Sequence, residues 1–269
     1  MIYFWIFLGV LLLPVVVDAV FVAVRELFRP RDDGGDAGAG LVIFVESIRW
    51  LGVRWGIRSV SAGLRRAGFL AKDGEFLYWR WHATWRGWLV LPVIMDAGLL
   101  EAQARRLAAF VVEQSRVRPG RPISLIGYSC GGYVTVRALE LLPPEVSVRS
   151  VVLLAAACDP RRDLRDACSR VQGRVVNVSS WLDWLILGVG TLLFGTGDRR
   201  HAVSAGLCGF RASHRPSNLV ERRWRPAMLR HGHFGGHFSA SSSWLMAEIW
   251  REEQRRGDTQ TRGRGEGTG

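Results

Sequence analysis

The chain has 269 residues, 48% of them hydrophobic, enough for one domain of ordinary size with a core of its own. Its formal net charge is +12, carried almost wholly by arginine, since Lys72 is the one lysine. Such an excess suits nucleic acid or an anionic membrane surface, but there is no RNP-like strand, zinc-finger spacing or helix-turn-helix cue, so a nucleic-acid partner is set aside and the membrane is preferred. The four cysteines, Cys130, Cys158, Cys168 and Cys208, form no C-x-x-C pair and read as free thiols of a reducing compartment rather than a disulfide framework.

Met1 to Val24 is nearly all apolar. At about 1.5 Å per residue it reaches across a hydrocarbon core of about 30 Å. No basic residue precedes Arg25 and no small-x-small cleavage site follows, so a single-pass anchor is preferred to a signal peptide, with a buried core helix as a third reading. Asp18 is awkward in such a segment and is expected near the headgroups. Arg25, Arg29 and Arg31 follow the apolar stretch, which puts the bulk of the chain in the cytoplasm. Residues 25–66 read as a basic linker and juxtamembrane segment, Gly/Asp-rich over 32–40. Within it, Leu41–Val45 is open between strand and helix. Arg54, Arg58 and Arg65 share one helical face and Val53, Ile57, Val60 and Leu64 the other. That fits either a helix lying on lipid or an ordinary surface helix packed on the domain.

From residue 67 to 256 strands and helices alternate. Glu75–His82 and Gly87–Leu91 read as a strand pair, and Asp96 as the cap of a helix whose apolar stripe runs from Leu99 to Val112. Strands follow at Ile123–Ile126, Val148–Ala156 and Arg174–Ser179, with helices after the first two and a final helix over Trp244–Arg256. The alternation predicts an α/β domain, a mostly parallel sheet wrapped by helices. Trp181–Phe194 is strongly apolar yet too short to span a bilayer; lid, pocket wall, membrane-dipping segment and plain core all suit it. Residues 257–269 are polar and Gly-rich and read as a disordered tail.

The chemistry gathers at Gly127-Tyr128-Ser129-Cys130-Gly131-Gly132, which directly follows a strand and opens a helix. This is the G-x-S-x-G turn in the setting it needs: the turn strains the serine backbone, glycines spare it collisions, and the helix N-terminus faces the hydroxyl. A Gly-rich turn that merely packs closely is the bland alternative. Serine needs a base and a carboxylate to orient that base. Asp183, just beyond the Val175–Ser179 strand, is the preferred acid; Asp159 is the alternative and Asp198 the third. The preferred base is His237, with His233 as the alternative, in a stretch where three of the six histidines fall close together. His231, His233 and His237 could instead ligate zinc, as a weaker reading. The oxyanion hole is assigned to the N–H of Cys130 and to the loop near Val93, where Pro92 can donate nothing.

Gly127–Gly132, Ser180-Trp-Leu-Asp183 and Gly235-Gly-His-Phe238 together resemble the α/β-hydrolase superfamily over about residues 70–256. The resemblance implies ester, thioester or amide hydrolysis through an acyl-serine, without cofactor or metal. It leads to the expectation of a membrane-anchored carboxylesterase or lipase-like enzyme acting on a small acyl or lipid-like ester. A membrane-tethered binding module that has lost catalysis is the alternative.

Overall fold

A computed structural model describes residues 2–28, 40–46, 55–70, 74–79 and 96–265. In chain order it contains α1 (Ile2–Phe28), β1 (Leu41–Glu46), α2 (Ile57–Arg66), β2 (Glu75–Trp79), α3 (Ala97–Val117), β3 (Ile123–Tyr128) and α4 (Cys130–Glu140). Then come β4 (Ser150–Leu154), α5 (Arg165–Ser169), β5 (Val175–Ser179), a π-helical turn (Trp184–Gly190), α6 (Thr191–Phe194) and α7 (Ala205–Cys208). The chain ends with β6 (Leu219–Arg223), 3-10 turns at Pro226–His231 and Phe238–Ser241, and α8 (Ser243–Gly265).

The strands of the described residues form one parallel sheet in the order β2-β1-β3-β4-β5-β6. β1, β3, β4 and β5 are buried along their whole length, which is why each reads as a mainly apolar run without clean alternation. From β1 the chain steps outward to β2 and then returns to the other side of β1 to lay down β3. Strand order therefore reverses between β1 and β3, and the carboxyl ends of strands at such a switch point are where open α/β sheets carry their sites. Glu46 stands opposite Tyr128, and Tyr128 opposite Leu154, so three strands end level there.

α3 starts where Asp96 Oδ1 accepts from the Leu99 N–H at 2.9 Å. α2 and α8 pack together, Gly63 lying flat against Met246 and the Ser243 carbonyl. Ion pairs from Arg174 to Glu253 and from Arg222 to Glu248 tie α8 to the sheet.

Two expectations are corrected, and one is only partly described. Residues 25–66 are not a linker throughout: Leu41–Glu46 lies inside the sheet and Ile57–Arg66 buries Ile57, Val60 and Leu64. β2 pairs in parallel with β1, while Gly87–Leu91 lies outside the described residues. Helix also continues to Gly265, into the stretch read as a disordered tail, carried past the last core residue by Glu252, Glu253, Gln254 and the arginines that follow, all strong helix formers. The apolar segment 181–194 becomes the π-helical turn and α6, with Leu187 in the core and Trp181, Leu192 and Leu193 exposed.

α1 also departs from expectation. Asp18, Val22 and Glu26 recur every four residues and form one buried stripe against the domain. Glu26 accepts from the N–H groups of Arg58 (2.9 Å) and Ser59 (3.1 Å). Asp18, expected near the headgroups, and Val22 thus face protein. Among the described residues no helix is long and apolar enough to cross a membrane.

Candidate active site

Ser129 sits between β3 and α4 with φ 56° and ψ −124°, a conformation a side chain rarely adopts. The turn is pinned by hydrogen bonds from the Ser129 N–H to the Leu154 carbonyl (2.9 Å) and from the Ala157 N–H to the Ser129 carbonyl (3.0 Å). The glycines are steric necessities. A Cβ on Gly127 would stand 2.8 Å from the Gly131 carbonyl oxygen; one on Gly132 would stand 2.7 Å from Ala156 Cβ. One on Gly131 would collide with the Val45 carbonyl of the neighbouring strand. Only at this closeness can α4 begin directly above the end of β3. In the first turn of a helix the N–H groups have no intrahelical acceptor, which leaves the amide of Cys130, the residue after Ser129, able to donate outside the helix. The Cys130 thiol itself is buried and pushed up to about 12, so it stays a neutral neighbour.

His237 Nε2 lies 3.1 Å from Ser129 Oγ, and His237 Nδ1 lies 2.6 Å from Asp183 Oδ2. Asp183 follows β5, while His237 precedes the 3-10 turn that leads into α8. Three segments far apart in sequence thus converge at the carboxyl end of the sheet, and all three side chains are buried. Burial pushes the Asp183 carboxyl above its ordinary range, and the nearby imidazole opposes that rise. A hydroxyl on one imidazole nitrogen and a desolvated carboxylate on the other can pass the serine proton to the ring as the oxygen attacks a carbonyl.

The peptide after His237 is held at both ends. Tyr128 Oη donates to the His237 carbonyl at 3.1 Å. On the other side, Asp18 Oδ2 accepts from the N–H groups of Phe238 (3.0 Å) and Ser239 (3.2 Å). Sequence reasoning missed both residues. The signal for Asp18 was a carboxylate in an otherwise apolar helix, expected at the headgroups but found 4% exposed beneath the histidine loop. Tyr128 carried no signal beyond its place beside the serine.

The remaining candidates have other partners. His233 is buried, with Nδ1 3.3 Å from Ser239 Oγ, and its imidazole is pushed down to about 4 by desolvation. Asp159 caps the turn at Arg161 through Oδ1, and Asp198 pairs with Arg162 and accepts from the Asp159 N–H. Both acids therefore hold a surface turn, not the imidazole. His231 pairs with Glu248, so the three clustered histidines point to three different partners. No group of three or more metal-ligating side chains occurs among the described residues. Val93 lies outside the described residues. The strand beside β3 on that side is β1.

A parallel sheet wrapped by helices, with a strained serine turn after its third strand in chain order, is an α/β-hydrolase-like arrangement. A family model described as "Protein of unknown function (DUF726)" matches residues 97–203. No curated protein matches the chain. Among solved structures the chain is similar to an α/β serine hydrolase without a lid from Xanthomonas campestris: 16% identity, 84% of this chain and 85% of that one covered, TM-score 0.47. It is also similar to a Trichoderma reesei cutinase in complex with a phosphonate inhibitor (12% identity, 91% and 87% covered, TM-score 0.40). A cutinase-like protein from Cryptococcus sp. is a third (14% identity, 82% and 96% covered, TM-score 0.40).

Proposed function

We propose that the protein is a serine hydrolase of carboxylesterase or lipase type. The observation that carries this reading is the continuous Ser129–His237–Asp183 hydrogen-bonded chain. Ser129 attacks the ester carbonyl, and His237 takes its proton and returns it to the leaving alcohol. Asp183 holds the imidazole in the tautomer with Nδ1–H, and the Cys130 amide faces the oxyanion. Water, activated by the same imidazole, then releases the acid from the acyl-serine.

The substrate is an acyl or lipid-like ester, and the protein works at a membrane surface on the cytoplasmic side. Support comes from the outer face of α1, where Val16, Val17, Val20, Phe21 and Val24 are exposed. Phe21 packs edge-on against Phe234 at 5.0 Å, so this apolar face adjoins the histidine loop. Such a surface suits lipid contact along the helix in place of a crossing.

A fluorophosphonate probe tests the reaction without knowledge of the substrate. We expect wild-type protein to be labelled and Ser129→Ala to be unlabelled, with p-nitrophenyl acyl esters hydrolysed by the former only. A folded wild type that neither labels nor hydrolyses overturns the reading.

A further inference from the structure

The groups that hold His237 come from two distant parts of the chain. Tyr128 adjoins the serine it serves. Asp18 belongs to α1, more than 200 residues away, and is separated from the domain by residues 29–39. The Phe238 N–H that Asp18 accepts and the His237 carbonyl that Tyr128 binds are two ends of one peptide unit. With both ends bonded, that plane cannot rotate, and the imidazole attached just before it keeps its distance from Ser129 Oγ. The fit is close: a Cβ on Gly236 would collide with Asp18 Oδ2, so glycine is what lets the loop settle on the carboxylate. Phe238 is steadied from its other side by the Trp55 ring at 4.3 Å.

Asp18 does more than glue a helix down. For that task α1 already has Val22 in the core and Glu26 on the N–H groups of Arg58 and Ser59. A second buried carboxylate is costly unless its bonds serve a purpose, and its Oδ1 has no hydrogen-bond partner among the described residues. We propose that Asp18 is a positioning residue for His237, so that the docked N-terminal helix completes the site and the base is set only while α1 is seated. This rests on the serine-hydrolase reading above.

The test is the inactivation of the full chain by a fluorophosphonate, resolved into kinact and KI, for wild type, Asp18→Asn, Asp18→Leu and Gly236→Ala. Leucine keeps the bulk and the helix contact but offers no acceptor. We expect kinact to fall about ten- to a hundredfold with KI unchanged and the thermal midpoint held or raised. Asparagine returns an oxygen to the same place and recovers most of the rate. Gly236→Ala, which spoils the same contact from the loop side, lowers kinact as well. Wild-type kinact in Asp18→Leu overturns the proposal, and so does a loss that tracks the melting temperature and is not rescued by asparagine. Failure of both Asp18 variants to fold assigns the residue a structural role only and equally overturns it. An unlabelled wild type would instead overturn the hydrolase reading, and this inference with it.

Discussion

Ser129 and His233 show how much a single residue's surroundings decide. The Gly127–Gly131 spacing was legible because the elbow is local: strand, turn and helix lie within a dozen consecutive residues, and steric demands on the glycines act over one turn. Asp183 and His237 were legible by chain order and context, Asp18 only as a carboxylate out of place in an apolar helix, because its partners lie 220 residues on. His233 was weighed as a base, yet it is a neutral imidazole closed inside the histidine loop, its pKa lowered from 6.5 to about 4 by desolvation. The unfolded chain therefore binds a proton that the native fold refuses. Stability is complete above about pH 6.5 and is lost as the pH falls toward 4, amounting to about 2 kcal/mol by pH 5. Urea denaturation at pH 8 and pH 5 should show this loss in wild type and a much smaller one in His233→Gln. An equal loss in both would remove His233 as its source.

Among the elements, α2 carries the clearest lesson. Its hydrophobic periodicity was visible, but whether the apolar face met lipid or protein was open. The answer depends on α8, some 180 residues on, which packs against it. Glycine makes the approach possible: a Cβ on Gly63 would stand 2.7 Å from Met246 Cβ and 2.8 Å from the Ser243 carbonyl oxygen. Gly63→Ala should gain up to about 1 kcal/mol in helix propensity and lose more by pushing the helices apart, a net destabilisation of about 1–2 kcal/mol. A urea midpoint at or above that of wild type would show that α8 yields freely. β1 was ambiguous for a related reason. A strand buried on both faces has no alternation to betray it, and six residues are too few to separate it from a helix start.

For the whole molecule, the charge of +12 and the apolar outer face of α1 belong together in the membrane reading. Wild-type protein should sediment with vesicles containing anionic lipid, less so as salt rises. Val16→Glu combined with Val20→Glu alters only exposed positions opposite the Asp18–Val22–Glu26 stripe. It should abolish sedimentation while leaving the thermal midpoint unchanged. Persistent binding of the double variant would sink the reading.

The bond from Asp18 to the Phe238 amide spans 220 residues. During synthesis α1 leaves the ribosome well before its partner loop. At about 5–20 residues per second, Asp18 waits on the order of tens of seconds for the amides it accepts. The nascent chain can fold much of its sheet in that time, but the His237–Ser129 contact cannot yet form. On the proposed reading, a ribosome-bound or prematurely terminated chain would not yet hydrolyse an ester.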